Sequence, residues 1–414
     1  MLSRGEYPLS GQTKPGYQWI VVAIIWFCHA VYFLSCMTVG TLAPFLQSEL
    51  HLSSARIGML SSAITIGSAL SLIPSGMLAD HLGSKWIMTG GLLLIAASAI
   101  TVSTMHFYLA IFGLLIVLGA GVGANQTPGS KAIVMWFPTK GRATGMGIKQ
   151  TGVTTGGILA SFLLPAVALQ CGSWKYSFVA AGLAALAAAV IVTLFYKDPA
   201  RSDPQPGRQR VHYKHVFLQL LKNRDLMLTS FAGIFLMSIQ SSLMTYFILY
   251  ASSVWGFPSK KCGLFLALAF FSGSLARVGW SVASDYLFMG RRNIILILIS
   301  ILGMITTVWI DTTRNTSNVL LLYLLTCLLG IACFGWNAIH LTRAGELGGE
   351  FAGTSTGIVM VISNLGAIVG PPVFGYLIDR TGGYTMSWYF LIFCMVFVAF
   401  FTMLQKKESL HIRK

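Results

Sequence analysis

The sequence predicts an all-α membrane protein: twelve transmembrane helices in two pseudo-symmetric six-helix bundles. Three observations carry this. Of 414 residues, 55% are hydrophobic and 10% charged, against about 25% charged in a soluble domain, and the mean hydropathy is +0.73. Twelve apolar runs approach or exceed the roughly 20 residues a helix needs to cross hydrocarbon. The two halves of the chain also repeat landmark residues at a spacing of 205–211 positions.

The runs fall in order. A polar N-tail, 1–18, precedes the first bundle, 19–196, whose segments are 19–45, 56–79, 86–103, 108–136, 143–169 and 176–196. The first segment is too long for a cleaved signal peptide and reads as a retained helix. The stretch 197–225 holds three prolines and seven lysines or arginines, and reads as the central loop. The second bundle, 226–404, has segments 226–254, 262–283, 294–310, 318–340, 352–378 and 385–404, and 405–414 forms a C-tail. Several segments exceed the bilayer thickness, which implies tilt or extension beyond it.

The net charge of +16 is explained by topology. With both tails and the central loop in the cytoplasm, nineteen lysines and arginines lie on that side and six on the other. This is the distribution expected of a multi-pass protein of the plasma (inner) membrane, and it removes the need for a nucleic-acid partner. The seven cysteines include no CxxC spacing, so neither a metal site nor a disulfide framework is expected. Nucleotide loops, catalytic triads and extramembrane domains large enough for an enzyme are missing from the pattern, so the expectation is a protein that is not an enzyme and needs no cofactor. Asp80 matches Asp285, Gly119 matches Gly330, and Gly147 and Gly156 match Gly357 and Gly366. A repeat of this size in a twelve-helix chain points to alternating access around a site between bundles.

After the second segment comes GMLADHLGSKW, residues 76–86. Asp80 sits at a cytoplasmic helix end, where a carboxylate can pair with basic groups and with the N-terminus of a neighbouring helix. Gly76, Asp80, Gly83 and Lys85 resemble the loop signature of the major facilitator superfamily, with His81 and Ser84 in place of two arginines. A degenerate copy runs through Ser281, Asp285, Gly290, Arg291 and Arg292. The resemblance implies that Gly76, Asp80, Gly83, Lys85, Asp285 and Arg291 form a conformational latch. The frame WFP…RA…G…TG after Trp136 is similar to the anion:cation symporter branch, which moves sugar acids and other organic anions. Lys131 stands where that branch has an arginine and Val122 where it often has a glutamate. Ser35 and Cys36 replace its aspartate–arginine. An arginine eight residues before the loop aspartate, here Arg277, also resembles monocarboxylate transporters and oxalate/formate exchangers, in which it contacts the substrate carboxylate.

The interior charges are informative without any resemblance. The twelve acids all lie in tails, loops or segment ends, whereas Arg277, Lys131, Lys149 and His29 lie within segments. Buried ionisable groups in membranes usually face a cavity, and a cavity with cations but no acids attracts anions. Arg277 is 16 residues beyond Lys261, about 24 Å along a helix, and arginine suits bidentate carboxylate binding. The alternative for Arg277 is a structural bond to carbonyls or to Asp285. His29, near mid-depth, is the candidate for proton coupling, or else a neutral histidine bonded to a helix carbonyl. Lys149 is an ordinary helix-end lysine or one with a substrate or gating role. Tyr32, Asn125, Tyr246, Asn337 and Asn364 complete the candidate substrate-binding set with Arg277 and Lys131, or else serve as interhelical hydrogen-bonding groups. Gln126, Gln240 and Trp336 lie at similar depth.

The expected function is secondary active transport of a small organic anion, a carboxylate, by alternating access. Its expected partners are the bilayer and a proton or counter-anion, and the protein is expected to be a monomer. The competing expectation is a proton-coupled exporter of drugs or amphiphiles, which suits the 12% aromatic content but lacks the membrane-embedded acid such exporters carry.

Overall fold

A computed structural model describes residues 16–137, 142–198, 213–313 and 318–406. The N-tail up to residue 15, loop residues 199–212 and the C-tail from residue 407 lie outside the described residues. Among the described residues, twelve helices are long and apolar enough to cross a membrane: α1 Tyr17–Cys36, α2 Ser54–Leu82, α3 Ser84–Val102, α4 Tyr108–Trp136, α5 Gly145–Cys171, α6 Trp174–Phe195, α7 Arg224–Val254, α8 Ser259–Leu287, α9 Arg292–Thr312, α10 Val319–Gly348, α11 Ala352–Thr381 and α12 Thr385–Met403. Their outward residues are apolar, as at Leu70, Leu109 and Leu320, which suits lipid rather than water.

The segment ends differ from the hydropathy reading in three places. The first run stops at Cys36 and continues as two short helices, Thr38–Thr41 and Ala43–Leu50, the second carrying Pro44 in its first turn, where proline is tolerated. Residues Tyr213–Lys222 of the central loop form a helix, and Leu220 and Leu221 from it pack against Leu226, Ala344 and Ile358. The tenth helix breaks at Phe334–Trp336 and resumes over Asn337–Gly348.

The chain divides into two compact units. The first contains the described residues up to Thr38, then Ala63–Ala160 and those from Cys171 to 198. Here α3 packs against α4 and α6, and α1 against α4 and α6. Its core is formed by small and branched residues such as Leu92, Ile95, Ala96, Leu118, Ala181 and Ala185. The second unit contains Val39–Ser62, Ser161–Gln170 and the described residues from 213 onward. In it α7 packs along α11 and α12, α8 along α10, and α9 along α12. Ala232, Leu236, Ile295, Leu296, Ile299, Trp336, Ile339 and Val398 form one of its cores.

The internal repeat is visible as backbone contact. A Cβ added to Gly119 on α4 would meet the Ile64 carbonyl of α2, and one on Gly330 of α10 would meet the Ala269 carbonyl of α8. Likewise Gly156 on α5 faces the Ala30 carbonyl of α1, and Gly366 on α11 faces that of Ile234 on α7. Small residues let membrane helices approach to backbone distance. The two glycine pairs therefore mark the same two crossings in each unit. Gly147 and Gly357 meet nothing, so that repeat pair is not a packing contact.

Helix ends need partners for their free N–H groups. Asp198, just past α6, accepts from the backbone N–H of Ser84 at 3.0 Å and of Lys85 at 3.1 Å, closing the start of α3. Gly83 turns into that helix at φ 91, and a side chain there would run into the Asp198 carboxylate. Burial and the Asp198 charge raise the pKa of the Tyr196 phenol, which keeps it a donor to Asp198 at 3.2 Å. In the second unit Asp379, on the last turns of α11, accepts from the N–H groups of Ser54 and Ala55, both at 2.8 Å, at the start of α2. Replacing Asp198 by alanine is expected to cost about 1–2 kcal/mol, seen as a lower midpoint for thermal unfolding in detergent. Asp198→Asn, which keeps one acceptor, should fall between. A midpoint unchanged in Asp198→Ala means the cap contributes nothing.

Candidate functional site

The break in α10 builds the polar centre of the second unit. Interrupting a helix frees carbonyls that hydrocarbon cannot satisfy. Two donors from α8 meet α10 at this level, Trp280 Nε1 to the Ile331 carbonyl at 3.2 Å and Arg277 Nε to that of Phe334 at 3.1 Å, and about two turns earlier Ser272 Oγ donates to the Cys327 carbonyl at 3.0 Å. Gly335 fits at the break because a Cβ there would lie 2.8 Å from the Ala276 Cβ and 3.1 Å from the Trp280 ring. Arg277 is half-buried. Only its Nε edge is engaged by protein, so among the described residues the two terminal amino groups of the guanidinium have no protein partner. They form the fork that a carboxylate binds bidentately.

Asp285 does not answer Arg277. The last turn of α8, Ala283–Leu287, widens into a π-helical turn, and Asp285 pairs with Arg292 at 2.5 Å. Arg292 also reaches Glu346 at 3.2 Å and the Ser284 hydroxyl at 2.8 Å. The second-loop ion pairs thus belong to Arg292, while Arg291 is exposed. In the first unit, Lys131 Nζ lies 2.6 Å from Asp80 and donates to the Ala79 carbonyl at 2.7 Å. Lys131 is therefore engaged by the loop aspartate at the end of α2. Gly76 lies against Thr127 of α4, and Lys85 lies at the capped start of α3 with its ammonium 5.6 Å from the Trp86 ring.

His29, Tyr32, Asn125 and Lys149 lie in the first unit. His29 is 1% exposed, with Nδ1 2.9 Å from the Ile25 carbonyl. Tyr32 packs on it edge-on, with ring centroids 4.8 Å apart. Asn125 is fully buried and donates to the Gly121 carbonyl at 2.9 Å, while its Oδ1 has no partner. Lys149 is 5% exposed and donates to Ser130 Oγ. In the second unit Tyr246 is 1% exposed, and its hydroxyl is shared between the Ser54 carbonyl at 2.5 Å and that of Pro371 at 3.0 Å. This ties α7 to the start of α2 and to α11. Asn337 opens the second piece of α10, and Asn337 and Asn364 are half-buried.

The candidate set therefore divides. Arg277 keeps an open fork, His29 and Asn125 keep a free buried atom, and Lys131 and Tyr246 are taken up by contacts within their own units. Sequence reasoning missed His340 and Arg343, which lie on one buried stripe with Ile339 and Ala344 along the second piece of α10. Both His340 ring nitrogens are buried without partners, and Arg343 Nε donates to Gln405 at 3.2 Å. The spacing of this stripe is the signal that would have extended the tenth segment. Among the described residues, no group of three or more His, Cys, Asp or Glu side chains is placed to hold a metal ion. The Asp80–Lys131 pair is 67% and 28% exposed at its two side chains. A double-mutant cycle of Asp80→Asn and Lys131→Gln in thermal unfolding should therefore give a coupling below about 1 kcal/mol. A coupling of twice that would mean the pair is far better shielded than its exposure implies.

The family pattern described as Major Facilitator Superfamily matches residues 25–371. Among similar proteins are a hexuronate transporter of Bacillus subtilis, 23% identical over 90% of each chain, and a probable galactarate/D-glucarate transporter of Escherichia coli, 24% identical over 90% of this chain and 91% of that one. A probable sulfoacetate transporter of Cupriavidus necator is 22% identical over 89% of each. In three dimensions the chain resembles a D-xylose-proton symporter, with a TM-score of 0.78, 15% identity and coverage of 94% of this chain and 98% of that one. It also resembles a bacterial homolog of the human lysosomal transporter Spinster, with a TM-score of 0.76, 17% identity and coverage of 95% and 97%.

Proposed function

We propose that this chain, which belongs to the major facilitator superfamily, carries a small organic carboxylate across the membrane by alternating access. The observation that carries this reading is Arg277. It is a permanent cation within a membrane helix, held by one edge to the Phe334 carbonyl, and the ion pairs described involve other residues. A charge at such depth costs several kcal/mol unless something offsets it, and a transported anion does so on each cycle. The relatives named for hexuronate, galactarate/D-glucarate and sulfoacetate support the same class of cargo.

In this reading, the carboxylate docks on the Nη1 and Nη2 edge of Arg277. Lys131, through its pair with Asp80, belongs to the latch that Gly76, Gly83 and Lys85 complete in the first loop and Asp285 and Arg292 in the second. Energy comes either from a proton entering with the anion, with His29 as its carrier, or from exchange against a second anion. The protein works as a monomer in the plasma membrane with both termini in the cytoplasm, an orientation supported by its lysine and arginine distribution.

The test is uptake of radiolabelled mono- and dicarboxylates into proteoliposomes, with and without an inward proton gradient or a trapped counter-anion. Arg277→Ala is expected to reduce carboxylate uptake at least about 100-fold. Arg277→Lys keeps the charge but not the fork, so it should leave a raised KM with partial rate. Uptake unchanged in Arg277→Ala would refute the binding role, and efflux of a cationic dye in place of carboxylate uptake would favour the exporter.

A further inference from the structure

We propose that Lys149, Ser130 and His29 form an anion subsite within the first unit that selects a carboxylate carrying a nearby hydroxyl. The proposal rests on the reading that the cargo is an organic anion, but on none of the residues used to argue it.

Lys149 is the more deeply enclosed of the two lysines inside the first unit, at 5% exposure. Its ammonium donates to Ser130 Oγ, which in turn donates to the Gln126 carbonyl at 3.0 Å. An ammonium has three donors, and this arrangement uses one. Among the described residues no carboxylate pairs with it. A buried charge without a counter-charge or full hydrogen bonding is expensive, so the arrangement is incomplete as it stands.

His29 is incomplete in the complementary sense. Its Nδ1 faces a carbonyl, Ile25, at 2.9 Å, and a carbonyl only accepts. Nδ1 therefore carries the hydrogen, and in the neutral ring Nε2 is left as an acceptor. That Nε2 is buried and has no partner. The site thus offers spare donors on a cation and one spare acceptor.

The two belong to one locus because glycines bring their helices together there. Gly129, the neighbour of Ser130 on α4, would place a Cβ 2.9 Å from His29 Cε1. Gly152 lies three residues after Lys149 on α5, hence on the same face, and its Cβ would fall 3.0 Å from the His29 Cβ. The imidazole of α1 is therefore seated against α4 and α5 beside the Lys149–Ser130 contact.

One ligand chemistry satisfies both needs. A carboxylate neutralises Lys149, and a hydroxyl on the same molecule donates to His29 Nε2. An unsubstituted carboxylate answers the lysine and leaves the histidine acceptor buried and unpaired. Hydrogen phosphate also carries negative charge and an O–H, so it is included in the test.

The experiment uses the purified full chain in proteoliposomes and acid pairs matched in chain length and charge: D-glucarate with adipate, and malate with succinate. For whichever pair is carried, the hydroxylated member should have a KM lower by about tenfold or more, the penalty for leaving one buried acceptor unpaired. Measured as exchange against a trapped counter-anion with no proton gradient, so that proton carriage does not enter, His29→Phe should remove this preference by raising KM for the hydroxylated acid above its effect on the unsubstituted one, while His29→Gln, which restores an acceptor, should recover part of it. Lys149→Gln should raise KM for both members at least about tenfold, with rescue by Lys149→Arg. Equal KM values within the pair in the wild type would overturn the proposal, and so would an unchanged KM in Lys149→Gln, or inorganic phosphate competing as well as the hydroxy acid. The wild-type comparison needs no variant to fold. Failure to carry any acid would overturn the transport reading and this subsite with it. Uptake that depends on Arg277 but not on Lys149 or His29 would overturn the subsite alone.

Discussion

Hydrocarbon supplies no hydrogen bonds, so every polar group within the membrane helices must be answered by the chain or by its cargo. The break in α10 shows what this demands. Its neighbourhood draws indole and guanidinium donors from one helix, α8, to the carbonyls of Ile331 and Phe334. Arg277 is part of that repair. Its Nε edge supports the backbone, which fixes the direction of the opposite edge, so the structural bond and the unengaged fork are two sides of one planar group.

The acids obey the same constraint in another way. Two of them meet the N-terminus of another helix, where free N–H groups and the helix dipole favour negative charge. Asp198 closes α3 and Asp379 closes α2, each through two backbone N–H groups. With the carboxylates placed at ends and surfaces, the interior is left with cations, histidines and amides. An interior of this kind is electrostatically suited to an anion and poorly suited to a cationic drug.

The two units share a scaffold but differ in chemistry. Gly119 and Gly330 mark one repeated crossing, and Gly156 and Gly366 another. The loop aspartates also repeat, yet Asp80 takes Lys131 from α4 whereas Asp285 takes Arg292 at the start of α9. Position 72, eight residues before Asp80 as Arg277 is before Asp285, holds Leu72, whose carbonyl accepts from Thr127 at 3.1 Å. The position that offers a guanidinium in one unit is an apolar packing residue in the other. Backbone crossings tolerate only small residues, so the glycines are held at both copies, while charge is placed once.

The twelve helices, the two-fold repeat and the loop aspartates were legible in the sequence, because they depend on hydropathy, period and residue type along one line. The extension of α10 beyond His340, through Arg343 to Gly348, was not, since polar residues at its turns lower the hydropathy of any window although the stripe that packs is buried. Which charges meet was also beyond sequence. Lys131, read as a substrate contact, faces Asp80; Asp285 turns from Arg277 to Arg292; and Lys149, an ordinary helix-end lysine by spacing, is enclosed beside His29. Sequence by itself determined which groups enter the membrane, because the cost of burial acts on each residue separately. Only the tertiary structure decided which of them are left without a partner, because pairing depends on helices brought together from distant parts of the chain.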